Sequence, residues 1–208
     1  MVITSVKEAF EAVKLTPFNL QYIPDEFQTE EVCIQAVKTE GWALPFVKNQ
    51  TPEICLAAVK KSGYALRCVN NQTEELCIQA VRTNVFALQF VENQTEELCL
   101  AAVKHDVRSL KYVKRPTLRM YAIAYLESKD THKLFKEPLT PELLYQLIEI
   151  EGLILKHVPK SKQSKKLCLA AVRQNGLALQ YIHKPTKEII LEAIKQNPDA
   201  IKFAKPWS

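Results

Sequence analysis

Apolar residues recur 3, 4, 7 and 8 positions after a serine or threonine, and the phase resets every 22 to 24 residues. In the stretch opened by Thr73 they are Leu76, Cys77, Ala80 and Val81. This spacing lays one apolar stripe along an α-helix, whereas a strand would alternate by two. The resets fall at Ser5, Thr29, Thr51, Thr73, Thr95, Thr117, Thr140, Ser164 and Thr186, so nine copies tile the 208 residues. Positions within a repeat are counted here from that residue as zero.

The opening hydroxyl is placed to accept from a backbone N–H that a helix start leaves free. Acids or proline follow, as in Glu30, Glu31, Pro52, Glu53, Glu74, Glu75, Pro141 and Glu142. Negative charge suits the positive end of the helix dipole, and proline suits the first helical position. Ser5 with Glu8 reads as a capping box. Position 11 reads as a second cap at Thr16, Ser62, Asn84, Asp106, Ser128, Asn175 and Asn197, with Pro17, Gly41, Gly63, Gly176 or Pro198 in the next slot. A shorter helix follows, with buried pairs Leu20/Ile23, Leu44/Val47, Leu66/Val69, Leu88/Val91, Leu110/Val113, Leu155/Val158 and Leu179/Ile182. Alanine at position 7 (Ala36, Ala58, Ala80, Ala102, Ala124, Ala171, Ala193) marks the expected closest approach of helices.

One such pair is too small to bury its own apolar face, so neighbours must share a core. The pattern predicts an all-α chain: an α-solenoid of about nine two-helix repeats of 22–24 residues. As one array over 1–208 it divides into an N-terminal cap repeat (1–27), regular repeats (28–116), irregular repeats where a bend is expected (117–163), and C-terminal repeats with a cap (164–208). The irregular part has His132 in an apolar slot and ends in the lysine-rich run HVPKSKQSKK.

Charge sharpens this picture. The net charge is +5, yet residues 1–110 hold 10 Lys/Arg against 14 Asp/Glu, and 111–208 hold 18 against 9. A basic half can steer an acidic partner. No apolar run approaches the ~20 residues that span a bilayer. The opening MVITSVKEAFEAVK carries charges where a signal peptide needs an apolar stretch. A cytoplasmic, reducing setting without a membrane is expected.

Cys33, Cys55, Cys77 and Cys99 stand 22 apart, and Cys168 returns to the same slot. Equivalent helices pack ~8–10 Å apart, while a disulfide needs Cα atoms within ~7 Å. Zinc needs four ligands around one point, which a row of single cysteines does not supply. These cysteines, and Cys68 in a slot otherwise aromatic, read as buried apolar residues. The sequons at Asn49, Asn71 and Asn93 are explained by helix termini. Four scattered histidines (His105, His132, His157, His183) and the lack of HExxH, CxxC, a glycine-rich phosphate loop or GxSxG point away from an enzyme. No catalytic, metal or cofactor residue is assigned.

Two surfaces are candidates for binding. Position 9 is basic at Lys14, Lys38, Lys60, Arg82, Lys104, Arg173 and Lys195, and position 13 is aromatic at Phe18, Trp42, Tyr64 and Phe86. Stacking would set Lys38, Lys60 and Arg82 beside Trp42, Tyr64 and Phe86, suited to an acidic peptide or to a single strand held by phosphate contacts and base stacking. The second surface gathers Lys160, Lys162, Lys165 and Lys166, with Lys111, Lys114, Arg115, Lys202 and Lys205. The blander reading of both is a solvated face whose cations complement helix C-termini.

The consensus C-hydrophobic-x-A-V-K-x-x-G-x-A-L-x-aromatic-V, seen in LCLAAVRQNGLALQYI (167–182) and ICLAAVKKSGYALRCV (54–69), resembles a repeat family classed as a domain of unknown function. The resemblance is clear over 28–115 and 164–184 and thin over 1–27 and 117–160. It implies helical repeats and a viral or host-interaction setting, and it brings no site residues. The reading is a non-enzymatic scaffold for a protein partner, such as a virus-encoded inhibitor of a host factor. Nucleic-acid or nucleotide binding through the basic and aromatic surface, and a self-assembling structural protein, are the alternatives. The oligomeric state stays open. Thr73→Ala should cost ~1 kcal/mol in urea unfolding through its lost cap, and an unchanged midpoint would remove that helix start.

Overall fold

The computed structural model describes residues 3–127 and 140–204, and all its regular structure there is helical. Nine α-helices of ten residues each begin one residue after the repeat's Ser/Thr. They are α1 (Val6–Leu15), α2 (Glu30–Thr39), α3 (Pro52–Lys61), α4 (Glu74–Thr83), α5 (Glu96–His105), α6 (Leu118–Glu127), α7 (Pro141–Ile150), α8 (Lys165–Gln174) and α9 (Lys187–Gln196). In eight of these repeats the shorter partner is a six-residue 3-10 helix: Pro17–Tyr22, Gly41–Phe46, Gly63–Cys68, Val85–Phe90, Val107–Tyr112, Gly152–His157, Gly176–Tyr181 and Pro198–Phe203. Its buried positions 15 and 18 are three apart, the spacing that eclipses side chains in a 3-10 helix. The N–H of position 18 closes the turn by donating to the carbonyl of position 15, as Val69 does to Leu66 at 3.2 Å. The two 24-residue repeats absorb their extra length in a further 3-10 turn, Asp25–Phe27 and Lys160–Lys162.

Eight of the nine expected N-caps form. The hydroxyls of Ser5, Thr29, Thr51, Thr73, Thr95, Thr140, Ser164 and Thr186 each accept from the N–H three residues on. Thr117 is the exception, and its buried hydroxyl has no partner. The Ser5 box is altered: Glu8 accepts from the Thr4 N–H (2.8 Å) and hydroxyl (2.9 Å). The Thr4 N–H, first among these contacts, holds the Glu8 carboxyl below its ordinary range.

The second caps differ from expectation in four places. Asn84, Asp106, Asn175 and Asn197 accept from the N–H two residues on. Thr16 and Ser62 make no such bond, while Glu40 and Glu151 do. An acceptor carried beyond Cβ reaches that N–H, and a hydroxyl attached to Cβ stops short. Ser128 and His132 lie outside the described residues.

The chain divides into two compact units, Met1–Lys114 and Arg115–Ser208. In the first, α1 to α5 pack in chain order, and the five 3-10 helices from Pro17–Tyr22 to Val107–Tyr112 do likewise. In the second, α6 to α9 pack in order, as do the 3-10 helices from Gly152 onward. Position 15 is the deepest slot: Leu20, Leu44, Leu66, Leu88, Leu155 and Leu179 are fully or almost fully buried. Ser109 is fully buried with an unpartnered hydroxyl at position 14, which is alanine in Ala43, Ala65, Ala87, Ala178 and Ala200.

Glycine at position 12 sets how closely neighbours approach. A Cβ on Gly41 would lie 2.8 Å from the carbonyl oxygen of Ala58, at position 7 of the next repeat. Gly63, Gly152 and Gly176 are pressed still harder against the carbonyls of Ala80, Ala171 and Ala193. None of these glycines has positive φ, so room rather than backbone freedom selects them. Val85 and Val107 take the slot in the fourth and fifth repeats, and α4 touches α5 only sparsely compared with the close pairing of α2 with α3. Gly63→Ala should therefore destabilise by ~1–3 kcal/mol through overpacking, opposite in sign to the usual gain from removing glycine. A urea midpoint at or above wild type would refute the close approach.

Candidate binding surface

The linkers between repeats carry peptide groups that no helix satisfies, and a glutamine at the position before the cap takes them up. Gln50 donates to the Cys68 carbonyl (2.9 Å) and accepts from the Asn70 N–H (3.0 Å). Gln72 repeats this on Phe90 (2.9 Å) and Glu92 (3.0 Å). Gln94 donates to Leu88 (2.9 Å) and Tyr112 (3.0 Å) and accepts from Lys114 (2.8 Å). Gln28 keeps the accepting half, from the Lys48 N–H, while donating to Leu20 and Ile23, and Gln163 keeps the donating half, to Val158 and Tyr181. Each amide thus ties its own linker to the chain at or just beyond the following 3-10 helix.

The cysteines belong to the same device. The thiols of Cys55, Cys77 and Cys99 donate to the side-chain oxygens of Gln50 (3.7 Å), Gln72 (3.5 Å) and Gln94 (3.7 Å). Cys33 donates to the backbone carbonyl of Gln28 at 3.7 Å. Every repeat with this glutamine has cysteine at position 4. The four without it have Thr4, Pro116, Leu139 or Pro185, paired with Ala9, Tyr121, Leu144 or Ile190. The six cysteines are free, and all but the half-buried Cys68 are buried. Burial, helped by the Glu30 charge, pushes the Cys33 thiol up to about 11. Sequence reading saw the cysteine as merely apolar and gave the glutamine no role. A second pair of amides was also missed: Gln174 accepts from the Gly152 N–H at 2.6 Å, and Gln196 from the Gly176 N–H at 2.5 Å.

The aromatic row falls in the N-terminal unit, as do Lys14, Lys38, Lys60, Arg82 and Lys104 of the basic row. Lys38, Lys60, Arg82 and Lys104 are exposed, and none has a carboxylate within salt-bridge distance among the described residues. They sit in the last turns of α2 to α5, where the helix dipole favours a cation. Lys14 pairs with Glu11 at 3.8 Å. Arg173, in the C-terminal unit, pairs with Glu192 at 3.2 Å.

The aromatic row does more packing than display. Phe18 meets Phe46 edge to face (6.2 Å between centroids), Tyr64 meets Phe90 (5.7 Å) and Phe86 meets Tyr112 (6.0 Å), each partner lying in the next repeat. Arg108 covers the Phe86 ring at 5.2 Å while bonded to Asp106, whose carboxyl it holds below the ordinary range. Trp42 differs: the slot opposite it holds Cys68 in place of a ring, and its side chain is 39% exposed. Phe18 is equally exposed, at 40%, although its ring meets Phe46.

The second candidate cluster lies in the C-terminal unit. Lys165 is paired with Glu188 at 2.5 Å, and Lys166 lies over the Tyr145 ring at 4.6 Å. Lys160 and Lys162 are exposed on their short 3-10 turn. Lys114 is spent within the N-terminal unit, donating to the Val91 (3.0 Å) and Glu92 (2.7 Å) carbonyls. Lys205 lies outside the described residues. His157 is within 3.1 Å of the Leu126 carbonyl and packs on Tyr125. Among the described residues, no three His, Cys, Asp or Glu side chains converge as metal ligands, and no helix is long and apolar enough to cross a membrane.

Residues 9–51 and 140–185 match a family described as a domain of unknown function (DUF4116). The second match is two whole repeats, Thr140 to Pro185, and the first runs from within α1 to Thr51, so the family's domain corresponds to two successive helix pairs. The match extends the resemblance into 9–27 and 140–163, where the repeat consensus is thin. No curated protein and no solved structure matches the chain.

The thiol environment sets a reactivity order. At pH 7.5, maleimide labelling of the native protein followed by mass measurement should add one group rapidly, at Cys68. The other five should react only after denaturation. Rapid labelling of Cys77 or Cys99 would contradict their buried bonding to glutamine.

Proposed function

We propose that the protein is a non-enzymatic scaffold that binds an acidic segment of a partner protein along the N-terminal unit. The observation that carries this reading is the row Lys38, Lys60, Arg82 and Lys104, which recurs at one slot of successive packed repeats with no charge partner among the described residues. A repeated slot on stacked helices gives a ligand evenly spaced cations, and the rigid stack lowers the ordering cost of binding. Trp42 adds an exposed ring beside the row. The first-turn acids Glu30, Glu31, Glu53, Glu74, Glu75, Glu96 and Glu97 populate the opposite helix ends and disfavour a phosphate backbone on this unit. The packed rings of Tyr64 and Phe86 are poor platforms for bases. Free, buried thiols support a reducing, cytoplasmic setting. A scaffold of this kind works by occupancy, which is also how a viral inhibitor would disable a host factor.

Self-assembly is a second reading with its own observation. Ile201 is 61% exposed at position 15, a slot that buries leucine in the other described repeats, and Leu191 on α9 is 57% exposed.

Capture from cell extract should recover a stoichiometric protein that survives nuclease treatment. Lys38→Glu/Lys60→Glu/Arg82→Glu should weaken its capture at least ~tenfold with folding unchanged. Release by nuclease, or undiminished capture by the triple variant, would overturn the reading. A mass that rises with concentration would move the assignment to self-assembly.

A further inference from the structure

We propose that the cleft beside Pro185 is a receptor site for a primary carboxamide, filled by a glutamine side chain in an acidic segment of a partner protein. This site lies in the C-terminal unit and is independent of the cation row of the N-terminal unit.

The argument rests on a comparison the protein makes with itself. In five repeats the residue before the cap is glutamine; the amides of Gln94 and Gln163 bridge the carbonyls of two successive 3-10 helix ends, those of Gln50 and Gln72 donate to the later end, and that of Gln28 to the earlier one. In the repeat opened by Thr186 that residue is Pro185, which has no amide to place. The cleft found there, of about 470 Å3, is lined by the counterparts of the seat: Leu179, Ile182 and Phe203. Leu179 corresponds to Leu88, whose carbonyl accepts from Gln94, and Ile182 to Val158, whose carbonyl accepts from Gln163. Phe203 corresponds to Tyr112, which accepts from Gln94, and no side chain donates to the Phe203 carbonyl among the described residues. The thiol that elsewhere accompanies the glutamine is also gone, replaced by Ile190.

The seat therefore lacks, among the described residues, the N–H₂ donor that Gln94 and Gln163 supply to its counterparts. Carbonyl oxygens with spare lone pairs at the wall of a cleft favour a ligand that donates. The rim supplies the rest of the specificity. Lys160, His183 and Lys202 border the cleft, with Lys202 shared with Asp199 at 2.7 Å. Acidic residues flanking the incoming glutamine match that rim, as they flank the chain's own glutamines in Glu92-Asn93-Gln94-Thr95-Glu96-Glu97.

The blocked hexapeptide of sequence Glu-Asn-Gln-Thr-Glu-Glu is the probe, titrated into the full chain and read by amide NMR shifts. Shifts should be confined to residue 160 and to residues 179–183 and 202–204. Replacing the peptide's glutamine by leucine should weaken binding about tenfold, the loss of one to two buried hydrogen bonds. Pro185→Gln should abolish the shifts by seating its own amide, and should melt above Pro185→Ala, the control for losing the proline ring. Lys60→Glu/Arg82→Glu should leave the shifts unchanged. Equal binding of the leucine peptide, shifts that persist in folded Pro185→Gln, no shifts at millimolar peptide, or a Pro185→Gln melt no higher than Pro185→Ala would each overturn the proposal.

Discussion

The constraint from which the rest follows is the unsatisfied peptide group in the linkers. A ten-residue helix and one 3-10 helix satisfy most of their own N–H and C=O groups, and their caps take up several more. The four or so residues that join one repeat to the next have no such recourse. Stacking buries their neighbours, so the groups need partners from the protein. In five repeats the glutamine before the cap meets this need with one side chain, because a carboxamide carries a double donor and an acceptor at once. The cysteine four residues into the helix completes the arrangement by giving its weak S–H to the same oxygen in three repeats.

Close packing is the complementary requirement. Glycine at position 12 lets one repeat settle against the alanine carbonyl of the next, and the rings at positions 13 and 17 then meet edge to face. Where Val85 stands in place of glycine, α4 and α5 touch only sparsely while the 3-10 helices keep their ring contact through Phe86 and Tyr112. Most of the aromatic and amide side chains are consumed in holding the stack. The cations of the row, Lys38, Lys60, Arg82 and Lys104, take no part in it and stay exposed.

Much of the fold was legible because the pattern repeats. Helix starts at Thr29, Thr51, Thr73 and Thr95 and the buried leucines follow directly from capping and from the 3- and 4-residue spacing. The 3-10 character of the second helix was less visible, although the pairs Leu44/Val47 and Leu66/Val69 already carried its three-residue interval. The roles of Glu40 and Glu151 as caps escaped notice because glutamate is an uncommon cap and only its longer reach qualifies it here. The aromatic row looked like a display surface, since spacing shows that Tyr64 and Phe86 are in register but not that Phe90 and Tyr112 lie opposite them. The glutamine's role was readable in principle: Gln and Cys appear together in five repeats and vanish together in four. Hydrophobic periodicity passes over such a pair, because one member is polar and the other is small.

The geometry of the glutamine tie has a consequence for how such a chain can change length. The amide at Gln50, the thiol at Cys55, the carbonyl at Cys68 and the N–H at Asn70 all fall inside one 22-residue period. A duplicated or deleted block of 22 codons therefore carries donor, acceptor and thiol together. Copy number can drift by whole periods without compensating changes elsewhere, whereas an insertion between the glutamine and its targets parts them; the two 24-residue repeats carry their extra turn ahead of Gln28 and Gln163, outside that span.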